Sequence, residues 1–270
     1  TWNVKGYIDY IHMINNNDID IISICTHPKS HKEIIMEILK TDIKGIICEK
    51  PLSNNFEDAE AIVKICDTKN IPIVVNYNRR YDKSYQLAKK FISSKEFGNI
   101  ITIHGYYYPG LLYAGSHIID IMMYLGGDID DVTGFLTDNL EDNVNNIDKG
   151  AIGCLKFNEG YYGLLDITSG RKYDFLGLDI HLENARIIIN DDYDGNGTLE
   201  LFKVESDKGN TLSSTPIRYT FDNNTLINSV IDIQNCIKNH NLNPLSNAKT
   251  ANKSLNTILK FHNYKRIESK

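Results

Sequence analysis

Glu49, Lys50 and Pro51 close an apolar run, Gly45-Ile46-Ile47-Cys48, with two opposite charges and a proline. Proline disfavours the helical region for the residue before it, so Lys50 is expected to be extended and its ammonium aimed rather than free. An aimed ammonium can hold a substrate hydroxyl or carbonyl oxygen by charge and hydrogen bond. Where water is excluded its pKa falls, and it can give or take a proton near neutrality. A solvated lysine in a strand-to-helix turn fits the same tripeptide.

The second candidate is Gly115-Ser116-His117-Ile118-Ile119-Asp120. His117 follows a small-residue turn and opens a stretch whose apolar positions Ile118, Ile121, Met122 and Leu125 predict an amphipathic helix. A histidine at a helix start is not needed for packing, and it can bind a polar ligand or move a proton. Asp120, three residues on, shares its helix face and is placed to orient the imidazole. A capping histidine with an ordinary surface aspartate is the competing reading.

The elements that must position these groups alternate in the first third of the chain. Strand patterns over 20–26 (DIISICT), 44–48 and 71–76 (IPIVVN) are separated by helical patterns over 30–40 and 53–69, after a short one over 7–14. The second long helix is expected to be capped by Ser53 or an adjacent Asn. Apolar strands with helices between them predict βαβ units and a parallel sheet. Ligands bind beyond the carboxyl ends of such strands. The three ends read Cys25-Thr26-His27-Pro28-Lys29-Ser30-His31, Glu49-Lys50-Pro51 and Asn76-Tyr77-Asn78-Arg79-Arg80-Tyr81, so polar groups gather at one edge.

The pattern then changes. Helices are predicted over 81–94 and 116–124, with a strand over 100–107 between them. From 131 to 204 come the strand candidates DVTGFLT, GAIGCLKF, YYGLLDIT, FLGLDIHL, ARIIIND and TLELFKV. Turn sequences such as Asn158-Glu159-Gly160 and Asp194-Gly195-Asn196-Gly197 predict a mostly antiparallel sheet. Helices over 226–239 and 248–262 close the chain. The organisation is therefore α/β first, α+β afterwards, with the boundary placed between residues 77 and 78. An open sheet needs its free face covered, which predicts a homo-oligomer built through the second sheet.

Other chemistries are disfavoured. Cys25, His27, His31 and Cys48 cluster in sequence, but no CxxC-type pair supports a zinc site. There is no GxSxG elbow and no Walker-type phosphate loop. Net charge is −6 over 270 residues, with no basic stripe, which argues against nucleic acid. No apolar run approaches the ~20 residues needed to cross a bilayer. The five cysteines are scattered and odd in number, which fits a reducing, cytoplasmic setting.

Taken together, DIISICTHPKSH, GIICEKPLS, VVNYNRRY and GSHIIDIMMYLGG resemble the glucose–fructose oxidoreductase and inositol dehydrogenase (Gfo/Idh/MocA) family. The resemblance spans almost the whole chain. It implies a nicotinamide-binding Rossmann domain over 1–77 and a substrate and oligomerisation domain over 78–270. It also implies NAD or NADP as cofactor and hydride transfer to or from a sugar, sugar-nucleotide or polyol. Thr26, Pro28 and His31 would line the dinucleotide, with Glu49, Lys50, Pro51 and Asn78. Lys50 would contact the reacting hydroxyl and His117 would carry its proton. Arg80, Tyr113, Ser116 and Asp120 would complete the substrate side.

Two departures from the family pattern matter. The strand, GxGxxG turn and second strand that open the family are not in this sequence, and the matching starts just before Tyr7. By the usual length of that unit, about 45 residues are expected to precede Thr1 in a parent protein. As written, the chain is expected to bind dinucleotide weakly or not at all, because the pyrophosphate lacks its helix N-terminus. Many members also carry an aspartate four residues before the histidine, where this chain has Tyr113. The phenol could reach Lys50 or pack under a sugar ring. A non-catalytic carbohydrate-binding or scaffold protein, or a lyase or hydrolase using NAD transiently, stands as the alternative reading.

Overall fold

The computed structural model describes residues 4–108, 110–137, 148–168, 175–191, 197–205, 209–221 and 224–263. Helix α1 (Tyr10–Asn15) leads into strand β1 (Ile21–Ile24), helix α2 (Pro28–Ile38), strand β2 (Gly45–Cys48), helix α3 (Phe56–Lys69) and strand β3 (Ile73–Val75). The three strands pair in parallel in the order β1-β2-β3. Ile46, Cys48, Val74 and Val75 are wholly buried, as short all-apolar strands flanked by helices should be.

Local chemistry sets where the helices begin. Helix α2 starts earlier than its apolar pattern, with Pro28 in the first turn and the His27 side chain capping the Lys29 N–H. Of the capping candidates for α3, Asn55 makes the bond, its Oδ1 accepting from the Asp58 N–H at 2.8 Å. The helix ends on Asn70 in the left-handed region.

A short 3-10 turn (Asn78–Tyr81) carries the chain out of the parallel layer into helix α4 (Lys83–Ser94), capped by Asp82. Strand β4 (Ile100–Tyr106), helix α5 (Gly115–Gly126) and strands β5 (Ile129–Thr137), β6 (Gly150–Phe157), β7 (Tyr162–Ile167), β8 (Leu176–Leu182), β9 (Ala185–Asp191) and β10 (Thr198–Glu205) follow. Two strands absent from the sequence reading, β11 (Thr211–Leu212) and β12 (Ile217–Thr220), pair with β10. They are short and mostly exposed, so they carry no apolar alternation to read. The nine strands form one mixed sheet, antiparallel throughout except where β4 runs parallel to β7. Of the expected turn at 194–197, residues 194–196 lie outside the described residues.

Helix α5 corrects one expectation. It is not amphipathic: every residue except Tyr124 is buried. One flank lies on the mixed sheet at Gly105, where a Cβ would come within 2.5 Å of Met122 Sδ. Helices α6 (Thr225–Lys238) and α7 (Ala248–Asn263) close the chain, and α4 and α7 cover other flanks of α5. A helix surrounded in this way is apolar all round.

Helix α7 joins the two layers. Ala248, Ala251 and Leu255 pack into the core of the parallel sheet, whereas Ile258 and Phe261 pack into that of the mixed sheet. Just before it, Ser246 clips onto β3: its Oγ donates to the Val75 carbonyl at 2.6 Å, and the Val75 N–H donates back to the Ser246 carbonyl at 2.8 Å. Apolar contacts therefore cross the boundary drawn between residues 77 and 78.

Candidate active site

A cavity of about 330 Å3 opens between the carboxyl edge of the parallel sheet and the mixed sheet. That volume lies at the lower end of the range for small-molecule sites. Lys50 enters from the end of β2, Arg79 from the 3-10 turn, and Tyr113, Ala114 and His117 from the start of α5. Tyr107, Tyr108, Phe175, Leu176 and Asp191 form the mixed-sheet wall.

Lys50 precedes a cis peptide bond to Pro51. Its Nζ donates to the main-chain carbonyl of Tyr113 at 2.7 Å. Burial, with help from Arg79, holds the Lys50 ammonium below the usual lysine range. Glu49 beside it accepts from Asn76 Nδ2 at 2.7 Å, which ties the end of β2 to the end of β3.

His117 is 9% exposed and sits edge-on to the rings of Tyr77 and Tyr107, at 5.8 and 6.5 Å between centroids. Burial first, then the positive charges of Arg79 and Lys50, push its pKa well below the usual histidine value. The imidazole is therefore neutral at physiological pH. Its Nδ1 is buried and makes no hydrogen bond among the described residues.

Four sequence-derived positions lie differently from expectation. Asp120 does not orient His117. Its carboxylate is taken by Arg80, with Nε to Oδ2 at 2.7 Å and Nη2 to Oδ1 at 2.8 Å, and Ser254 Oγ donates to Oδ1 at 3.0 Å. Arg80 is consequently buried beneath the cavity and is not part of its lining. His31 is also fully buried. Its Nε2 faces the Thr26 carbonyl at 3.0 Å and its Nδ1 the Leu52 carbonyl at 3.2 Å, so it stitches the strand ends from behind. Tyr113 meets Lys50 through its carbonyl, while its hydroxyl lies 3.3 Å from His27 Nε2.

The remaining expected positions divide between surface and interior. Thr26 is exposed at the end of β1 and accepts from Ser30 Oγ at 2.9 Å. Pro28 is buried in the first turn of α2, and Pro51 is buried behind Lys50. Ser116 is buried, its Oγ donating to the Tyr113 carbonyl at 3.1 Å. Asn78 is half-buried in the 3-10 turn, its Oδ1 without a hydrogen bond among the described residues. No group of three or more His, Cys, Asp or Glu side chains placed to hold a metal occurs among the described residues.

Sequence reasoning missed Arg79. Its Nε donates to Asp191 Oδ2 at 2.9 Å and its guanidinium lies over the Tyr107 ring, 5.4 Å from the centroid. A second buried bond reaches the same carboxylate oxygen, from Tyr85 OH at 3.5 Å. The signal for Arg79 was present only as one of two adjacent arginines.

Residues 1–77 match the family model described as an oxidoreductase family with an NAD-binding Rossmann fold. This segment belongs to the Gfo/Idh/MocA family. Inositol 2-dehydrogenase of Salmonella paratyphi B is 30% identical over 134 residues, which cover 45% of this chain and 39% of that enzyme. Levoglucosan dehydrogenase of Pseudarthrobacter phenanthrenivorans is 28% identical over 182 residues, covering 59% and 46% of the two chains. These matches thus take in less than half of the relatives' own lengths. In three dimensions, the levoglucosan dehydrogenase complex with NADH and levoglucosan superposes with a TM-score of 0.80 at 19% identity, covering 95% of this chain and 82% of that one. The UDP-N-acetylglucosamine 3-dehydrogenase of Acidithiobacillus ferrooxidans gives 0.77 at 14% identity, covering 95% and 81%. The Gfo/Idh/MocA fold therefore extends through the mixed sheet. Among the described residues no helix is long and apolar enough to cross a membrane.

Proposed function

We propose that this protein is an NAD(P)-dependent oxidoreductase acting on a hydroxyl or carbonyl of a sugar, sugar-nucleotide or polyol. In this reading residues 1–77 serve the nicotinamide side and residues 78–270 the substrate side. The observation that carries it is the meeting of Lys50 and His117 on one cavity at the carboxyl edge of a parallel sheet. The sugar-type dehydrogenases among the relatives support the substrate class.

The residues at the rim fit the nicotinamide half of a dinucleotide. Asn76 Oδ1 and Asn78 Oδ1 are buried acceptors without hydrogen bonds among the described residues, and Thr26 stands exposed at the neighbouring strand end. Buried acceptors left open in this way are suited to a ligand that brings N–H donors. Thr26, Asn76, Asn78 and Lys50 would hold this end, and the bound nicotinamide would supply the two-electron hydride chemistry.

The chain's own groups supply alignment and the proton. Lys50 spends one N–H on the Tyr113 carbonyl and keeps two donors for the substrate oxygen. His117, held neutral, takes the proton from the substrate hydroxyl during oxidation and returns it to the carbonyl oxygen during reduction. The aromatic wall excludes water and offers flat apolar surface to a ring.

A second reading, a carbohydrate-binding protein without hydride transfer, is favoured by Tyr113 at the position where many family members carry an aspartate. One experiment separates the two. Incubation with NAD+ or NADP+ and a panel of sugars and polyols, with reduced nicotinamide followed by absorbance, should give turnover that Lys50→Met and His117→Ala both remove. Binding of both sugar and reduced nicotinamide cofactor, each shown by titration, without turnover would select the second reading.

A further inference from the structure

We propose that the substrate carries a carboxylate, bound by the Arg79 guanidinium at the end of the cavity formed by the mixed sheet; this rests on the reading of the cavity as a sugar site. Arg79 has five N–H donors. Nε–H goes to Asp191 and one Nη2–H reaches Tyr107 OH at 3.4 Å. The other three make no hydrogen bond among the described residues, although the side chain is only 15% exposed. The guanidinium lines the cavity wall, so an acceptor on a ligand reaches these donors without displacing a protein partner. A planar carboxylate that takes two parallel N–H groups is the acceptor this fork fits best.

The charge of the lining agrees. Lys50 and Arg79 are its two cations and Asp191 its one carboxylate among the described residues. Glu49 is turned to Asn76, and Asp148 accepts the main-chain N–H groups of Leu112 and Tyr113 at 2.7 and 2.8 Å. The lining itself thus carries one net positive charge among the described residues, which a monoanionic ligand would neutralise, while Glu49 and Asp148 act on Lys50 from outside the lining. Burial first, and then the positive charges of Arg79 and Lys50, lower the basicity of His117, so both cations act within the same cavity. With the carboxylate on Arg79, a hydroxyl farther along the substrate would lie toward Lys50 and His117, its ring against Tyr107.

Isothermal titration of the whole chain with glucuronate, glucose and glucose 6-phosphate tests this without relying on turnover. Glucuronate should bind at least tenfold more tightly than glucose, and its affinity alone should fall as salt is raised. Arg79→Met should remove the difference, and Arg79→Lys, which keeps charge without the fork, should restore part of it. Far-ultraviolet circular dichroism checks that each variant is folded, and the salt dependence of the unaltered chain stands even where a variant is not. Equal affinity for glucuronate and glucose overturns the proposal, as does tighter binding of glucose 6-phosphate than of glucuronate. Glucuronate binding through Arg79 without nicotinamide-linked oxidation of any sugar, by protein shown by titration to bind NADH, would sink the dehydrogenase reading and leave this one. Oxidation of glucose with no preference for glucuronate would do the opposite.

Discussion

The Lys50 ammonium donates to the Tyr113 main-chain carbonyl at 2.7 Å, joining the end of β2 to the turn that opens α5. The group that orients Lys50 is thus backbone and survives any change of the Tyr113 side chain. Tyr113→Phe should therefore lower kcat/KM by no more than about fivefold. Lys50→Met, which deletes the donor itself, should cost about 100-fold or more, the usual scale for a lost acid–base group. Parallel kinetics of the two variants on one substrate check this. Equal losses would mean that the phenol, through its contact with His27, acts in the reaction.

Arg80 and Asp120 form a two-pronged ion pair with side chains 7% and 2% exposed. Arg80 also donates to the Leu245 carbonyl at 3.1 Å, so the pair fastens α5 to the segment that leads into α7. Removing one partner leaves a buried charge. Asp120→Ala should destabilise the fold by about 3–5 kcal/mol. The double replacement Arg80→Met with Asp120→Leu should recover most of that loss, since neither charge then remains. Urea unfolding of Arg80→Met, Asp120→Leu and the double variant, beside the unaltered chain, gives the coupling directly.

His117 ties stability to pH. Its folded pKa lies well below its unfolded value of about 6.5, so the unfolded chain binds the extra proton first. Stability is then full above about pH 6.5 and declines as pH falls through the window down to the folded pKa. His117→Gln should flatten that slope. Thermal unfolding of both proteins between pH 7.5 and about 5 checks the sign; an unchanged slope would place the acid sensitivity elsewhere.

The sequence made the parallel layer legible because Gly45-Ile46-Ile47-Cys48 and its two neighbours are short, mostly apolar runs between capped helices, a pattern few other arrangements satisfy. It also marked Lys50, since the proline after it fixes a strand end. It could not separate Arg79 from Arg80. In a 3-10 turn successive side chains point about 120° apart. Which one faces the cavity is decided by Asp191 and Asp120, 112 and 40 residues away in sequence. The same limit applied to Asp120, whose spacing from His117 suits a hydrogen bond that Arg80 takes instead. His31 sits where a ligand contact was expected, yet packing turned it inward onto the Thr26 and Leu52 carbonyls. Local pattern carries the frame and the strand ends, while side-chain direction depends on partners distant in sequence.

The outer face of the mixed sheet leads to a prediction about assembly. Phe135 pairs with Ile152 across β5 and β6, and Cys154 and Lys156 of β6 pair with Leu164 and Tyr162 of β7. Phe135, Ile152, Tyr162 and Leu164 are all exposed, while Ala151, Leu155, Leu165 and Ile167 on the opposite face are buried. An antiparallel sheet with one solvated face ordinarily turns polar residues outward. Four large apolar side chains on neighbouring strands instead mark a contact surface. A second copy of the same face would meet it around a two-fold axis, because a self-complementary patch closes on itself. The chain should therefore sediment as a dimer or larger closed oligomer. Leu164→Lys should shift it to monomer by placing an unpaired charge in the interface. Lys64→Glu, on the exposed flank of α3, serves as the control and should leave sedimentation unchanged. A monomeric parent chain at micromolar concentration would sink the assignment, since the apolar face would then be open to water without self-association.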